Sequence, residues 1–126
     1  MRSLIKTPEY AEFIATVGPK VLTKVDYVTD ILIQSDVLNA KFFKKLENTE
    51  FYEMRLSVDK EYRIIMYSID HPNIIEAQQI LLLNGFIKKS TKDYASQIEK
   101  ANKIIQRLTE EAEIEQTVAL GNETED

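Results

Sequence analysis

Between Phe51 and Phe86 the apolar residues stop recurring every three or four positions and begin to alternate, and this change of period restricts the chain to a mixed fold. Tyr52, Met54, Leu56 and Val58 alternate with Phe51, Glu53, Arg55 and Ser57, which predicts a strand with one apolar face. Asp59-Lys60 reads as a turn. Glu61 to Ile69 reads as a second strand, with Arg63, Ile65, Tyr67 and Ile69 sharing a face. Asp70-His71-Pro72-Asn73 is a strong turn signal. Ile74 to Phe86 completes a three-stranded meander, and its run Ile80-Leu81-Leu82-Leu83 predicts burial on both faces.

The flanking segments keep a helical period. Thr7-Pro8-Glu9 reads as a helix start, with Thr7 as N-cap, Pro8 at the first helical position and Glu9 favoured by the dipole. Tyr10, Phe13, Ile14 and Val17 follow as one stripe, and Gly18-Pro19 ends it. Val21, Leu22, Val25, Val28 and Leu32 mark a second stripe, so residues 8–34 predict a helical hairpin. Residues 2–6 form a short first strand. A last helix opens at Ser90 or Thr91 with the seam Tyr94, Ile98, Ala101, Ile105, Leu108 and Ala112, and frays beyond Leu120-Gly121. The pattern predicts one α+β domain over residues 1–109, with an acidic helical extension and tail over 110–126.

The charge is uneven. The net charge is −5, yet residues 110–126 hold seven acids and no base, so residues 1–109 carry a balance of +2. The stretch from Leu81 to Arg107 has six bases against two acids. A mildly basic body with a basic end is compatible with a polyanion partner. The absence of cysteine excludes disulfides, a thiolate nucleophile and a cysteine-based zinc site. The N-terminus breaks into charge too early for a signal peptide and no apolar run reaches membrane-spanning length, so a cytoplasmic protein with no membrane association is expected.

Several segments carry a resemblance. They are Lys44-Lys45-Leu46, Tyr52-Glu53-Met54-Arg55, Tyr62-Arg63-Ile64-Ile65, Leu82-Leu83-Asn84-Gly85-Phe86 with Lys88-Lys89, and Ile98-Glu99-Lys100-Ala101. In this order the chain resembles the RelE/HigB toxins of type II toxin–antitoxin systems, in particular the phage-derived HigB-like branch, over roughly residues 2–108. The resemblance implies a RelE-like antiparallel sheet with an N-terminal helical hairpin on one face and a C-terminal helix. It implies a ribosome-dependent mRNA endonuclease (an mRNA interferase), cleaving by 2′-hydroxyl attack with no metal or other cofactor. Its partners would be a cognate helix-turn-helix antitoxin, the ribosome and mRNA, with DNA reached only through the antitoxin.

Such cleavage needs a base near the 2′-hydroxyl, cations around the phosphate and a proton source for the leaving 5′-oxygen. Carried over by resemblance, Arg55 and Arg63 are the strand arginines, Lys88 or Lys89 supplies a further cation, and Tyr94 matches a late aromatic. Arginine suits a phosphate through its planar fork of donors. Glu53 stands where some RelE proteins have a basic residue; it reads either as a general base or as the ion-pair partner of Arg55 or Arg63. Arg55 and Arg63 also read as solvated partners of Glu53 and Glu61, and Tyr94 also reads as core. Lys44 and Lys45 read as a helix-end charge pair or as ribosomal RNA contacts. Lys92, Lys100, Lys103 and Arg107 read as RNA or ribosome contacts or as a solvated face. Some HigB proteins use a histidine, but His71, the only one here, reads as a solvated turn residue. Two alternatives stand beside the nuclease: a non-nucleolytic protein of the same fold that binds a protein target in the manner of a gyrase poison, and an inactive protein-binding remnant.

Overall fold

The computed structural model describes the backbone of residues 1–124 and the side chains of residues 1–119. Five strands form one sheet: β1 (Ser3–Lys6), β2 (Phe43–Lys45), β3 (Phe51–Val58), β4 (Lys60–Ser68) and β5 (Gln79–Ile87). Their spatial order is β1-β5-β4-β3-β2. Strands β2 to β5 are antiparallel neighbours, whereas β1 joins β5 in parallel, so the sheet is mostly rather than wholly antiparallel. Helices α1 (Pro8–Thr16) and α2 (Pro19–Gln34) cover one face, and α3 (Asp93–Thr124) packs on the other.

The alternation in β3 sorts its side chains as its period predicts. Tyr52, Met54, Leu56 and Val58 join the core under α1 and α2, while Phe51 joins the core under α3. β5 is buried on both sides, Ile80 and Leu82 on the first core and Leu81 and Leu83 on the second. Each such aliphatic side chain contributes about 1.5–3 kcal/mol on burial. Thr7 caps α1, its Oγ accepting from the Tyr10 N–H at 3.1 Å. The same hydroxyl reaches the Leu83 carbonyl at 2.6 Å, which fastens the helix start to β5.

Asn84-Gly85 is where the sheet changes register. Ile64 pairs with Gly85 and Met66 with Leu82, so Leu83 and Asn84 together face the single residue Ile65, a β-bulge. The extra residue leaves Leu83 in the core beneath α3, where the Asn84 amide donates to the Gln97 carbonyl at 3.1 Å, and it returns Phe86 to that core too. Gly85 meets α1 on the other side. A Cβ there would lie 2.4 Å from the Phe13 ring, so the helix can approach this closely only over glycine.

Four expectations change. Lys44-Lys45 is not a helix end but lies in the edge strand β2, which is too short to show a period. The segment from Ile74 to Gln78 is a turn rather than the start of β5. Asn73 accepts from the Glu76 and Ala77 N–H groups, and Ile74 and Ala77 are apolar because the turn is tucked into the core. The α3 seam uses Ile104, and Ala112 is exposed because the helix has by then run past the sheet. The fraying expected beyond Gly121 falls on residues that are helical to Thr124, and at Glu125 and Asp126 it lies outside the described residues.

Arg2 carried no signal in the sequence, yet it is buried and holds two elements together. Its Nε donates to the Ile74 carbonyl at 3.1 Å and Nη2 to the Ile75 carbonyl at 2.8 Å. Nη1 donates to Leu32 at 3.0 Å and also to the Ser35 carbonyl, closing the C-terminus of α2, where a cation complements the dipole. Arg2→Met should therefore lower the unfolding free energy by about 2–4 kcal/mol in urea titrations, and Arg2→Lys should recover only part of it, since an ammonium lacks the fork.

A second tie joins α3 to α1 at the surface, where Arg107 forms a forked pair with Glu9, with one arm at 3.0 Å. The guanidinium holds the Glu9 carboxyl below the usual carboxylate range. A lowered carboxyl stabilises the fold above its unfolded pKa, and that contribution disappears as the pH falls through its folded value. Arg107 is still 39% exposed, so the pair is worth only about 0.5–1 kcal/mol. Glu9→Gln should cost that much at neutral pH, and the gap from the parent should close as unfolding is followed below about pH 4.

Candidate functional site

The register of β3 and β4 sets Arg55 directly opposite Arg63, a like-charge pair that would repel without a counter-ion. Glu53, one step along the same face, supplies it. Its Oε1 lies 3.6 Å from Arg55 Nε and its Oε2 lies 3.7 Å from Arg63 Nε. β2 brings Lys44 opposite Glu53 on the outer edge of this face.

Tyr94, at the start of α3, closes the group from above. Its hydroxyl donates to Glu53 Oε2 at 2.6 Å and accepts from Arg63 Nε at 3.1 Å. Arg63 spends its other donors on the Tyr62 carbonyl at 2.9 Å and on Glu61 Oε1 at 3.3 Å. Burial, and then the bond to Glu53, push the Tyr94 hydroxyl above its ordinary pKa, so it stays a donor through the physiological range. The Tyr94 ring packs edge-on against Phe86 at 5.6 Å, which fixes its position by apolar contact as well.

Strand β5 leaves the sheet beside this cluster. The Lys88 N–H donates to the Glu61 carbonyl at 2.8 Å, and its ammonium stands 5.7 Å from the centre of the Tyr94 ring. Lys89 is exposed. The Asp93 carboxylate accepts from the Lys89 and Ser90 N–H groups at 2.7 and 3.0 Å, which shapes the turn into α3 and keeps that carboxyl low.

Glu53, Arg55, Arg63, Lys88 and Tyr94 are therefore gathered at one place, with Lys44 and Lys89 on its margin. The reading of Arg63 as a solvated side chain does not hold. Its side chain is 1% exposed, against 36% for Arg55, because the first turns of α3 cover it. The apolar seam of α3 was the available signal: with one sheet face taken by the helical hairpin, the seam has only the other face to cover. Glu53, 4% exposed, pairs with both arginines as the ion-pair reading had it.

The remaining candidates are scattered. Lys45 turns to the other face, its ammonium over the Tyr52 ring at 5.3 Å. Lys92 is exposed in the turn before α3 and Lys100 on α3, Lys103 pairs with Glu99 at 3.6 Å, and Arg107 is engaged by Glu9 and Glu111. His71 sits exposed beyond the far end of β4, its Nδ1 accepting from the Asn73 N–H at 3.0 Å. Sequence reasoning missed Lys24, Lys41 and Phe42, which line a cleft next to Arg55; the pattern Lys41-Phe42 before a strand was the only hint. Among the described residues no His, Asp and Glu side chains cluster in a way that could hold a metal ion, and no helix is long and apolar enough to cross a membrane.

The cluster can do two kinds of chemistry. A carboxylate bonded to a phenol is a two-step path for a proton, and the cations at its mouth can stabilise an anion. No curated protein matches the chain. A family model does, over residues 12–106, a span that takes in β2 to β5 and every residue of the cluster. That match places the chain in the family described as Phage derived protein Gp49-like (DUF891).

Proposed function

We propose that the chain is a RelE/HigB-like toxin of a toxin–antitoxin system, an endoribonuclease that cuts mRNA on the ribosome. The observation that carries this reading is the Glu53–Tyr94 hydrogen bond set between Arg55, Arg63 and Lys88. It supplies a proton acceptor, a relay and cations within one group of side chains, which is what attack by a 2′-hydroxyl on a phosphodiester requires.

In this mechanism Tyr94 Oη takes the proton of the 2′-hydroxyl while passing its own to Glu53. The 2′-oxygen bonds to phosphorus, the bond to the 5′-oxygen breaks, and a 2′,3′-cyclic phosphate is left. The leaving oxygen receives a proton from the ammonium of Lys88 or Lys89. Arg55, partly exposed, bears the charge that builds on the phosphate. Arg63 is a positioning residue: it orients Tyr94 and Glu53 and does not reach substrate. A body only weakly basic grips free RNA poorly, so the ribosome presents the strand.

Expression without an antitoxin should stop translation and growth, with mRNA cut only when ribosomes are present. Tyr94→Phe keeps the ring against Phe86 and should lower the cleavage rate roughly a hundredfold, or about 2.7 kcal/mol. Arg55→Ala should cost about two to three orders of magnitude. Full toxicity in both variants would end the site assignment.

Arg63→Ala should behave differently, lowering the unfolding free energy by about 3–5 kcal/mol because it leaves the Glu53 charge buried beside a cavity. The burial of Arg63 also favours a second reading: the network holds α3 on the sheet, and the protein stops growth by binding a protein target. Growth arrest with intact mRNA would select that reading.

A further inference from the structure

Beside Arg55 the surface opens into a cleft of about 320 Å³, lined by Lys24, Lys41, Phe42, Arg55, Ser57 and Glu61, with Leu56 at its floor. It exists because β2 is short. Its pairing with β3 ends at Phe42, whose carbonyl accepts from the Arg55 N–H at 2.7 Å, and the rest of β3 has no neighbour on that side. By the alternation of an antiparallel strand, the Ser57 N–H points to the same vacant edge.

Two ammonium groups are held at this cleft by aromatic rings. Lys24 stands 5.3 Å from the centre of Phe42 and 5.5 Å from that of Tyr27, and Lys41 lies 5.7 Å from Phe42 on the other approach. Neither has a carboxylate within ion-pair distance among the described residues. Rings orient a cation without neutralising it, so both charges remain available to a ligand. Glu61 is the one acid in the lining; the Ser57 hydroxyl and Arg63 hold its carboxyl below the usual range, so it stays ionised, and Arg63 at 3.3 Å offsets its charge.

We infer that this cleft is a second phosphate site, which takes the phosphodiester next to the one at the Glu53–Tyr94 cluster and so sets the path of a single RNA strand across the sheet edge. Arg55 lines the cleft and belongs to the cluster, so the two phosphates would share it. The choice of RNA as ligand rests on the nuclease reading above, but the cleft can be tested without any cleavage.

The probe is a fluorescent 2′-O-methyl oligoribonucleotide, which lacks the attacking hydroxyl, and the readout is anisotropy across a salt series with the full chain. Lys24→Met and Lys41→Met keep the apolar stems over Phe42 while removing the charges. The double variant should bind roughly tenfold more weakly at low salt, and its salt slope should fall by about 1.4, two counterions at about 0.7 each for a single strand. Lys20→Met, outside the cleft, should leave the slope unchanged. An unchanged slope in the double variant, or no binding by the parent chain at low salt, would overturn the inference. So would binding of inorganic phosphate by the cleft without binding of the oligonucleotide. If the slope falls as expected while ribosomes and mRNA yield no cut product, the cleft stands and the nuclease reading fails.

Discussion

The hydrogen-bonded ion group of Glu53, Arg63 and Tyr94 decides how the second half of this molecule is arranged. Taking a carboxylate and a guanidinium out of water costs several kcal/mol per ion, and only good geometry with all donors used offsets that. Here every arm of Arg63 has an acceptor, two on β4 itself and one on α3. An apolar seam alone would let α3 slide along the sheet by a turn at modest cost. The Tyr94 hydroxyl admits one position, because in any other a buried charge loses its partner. The same rigidity serves a site, since groups that do not reorganise stabilise developing charge more effectively.

The sheet face was readable from the sequence because strand periods are strict. Glu53 and Arg55 share a face with Arg63 as soon as the turn at Asp59 is recognised, and the turn itself is sound: Asp59 sits at φ 63, a left-handed position that aspartate tolerates. The capped start of α1 and the doubly buried run in β5 were equally plain. What escaped depended on contacts far apart in the chain. Arg2 looks like any charged terminal residue until the turn at Ile74 and the end of α2 are brought to it over 72 and 30 positions. The burial of Arg63 follows from where α3 lies, which no local pattern states.

Electrostatics divide along the same axis. The described part of the acidic extension continues α3 beyond the sheet, and Ile114 and Val118 are exposed on it with Glu110 and Glu113 beside them. Five cations that enter no ion pair among the described residues, Lys24, Lys41, Lys44, Lys88 and Lys89, lie toward the opposite end of that helix and at the sheet edge. A chain with a net negative charge thus keeps a cationic region, because seven of its 21 acids lie in the last segment and Glu9, Glu53, Glu61 and Glu99 are held in ion pairs.

Strand β2 has one more consequence. An uncovered strand edge is a template on which another chain can add, and long flat edges lead to aggregation. This edge is three residues long, and two of the three are exposed lysines, Lys44 and Lys45. The opposite edge, β1, has four residues and ends in the exposed Lys6. A five-stranded sheet thereby ends at both margins in short strands bearing charge, and the few residues of β3 left open beyond β2 lie beside Lys24, Lys41 and Arg55, so that copies of the protein crowded together have little uncharged backbone on which to polymerise.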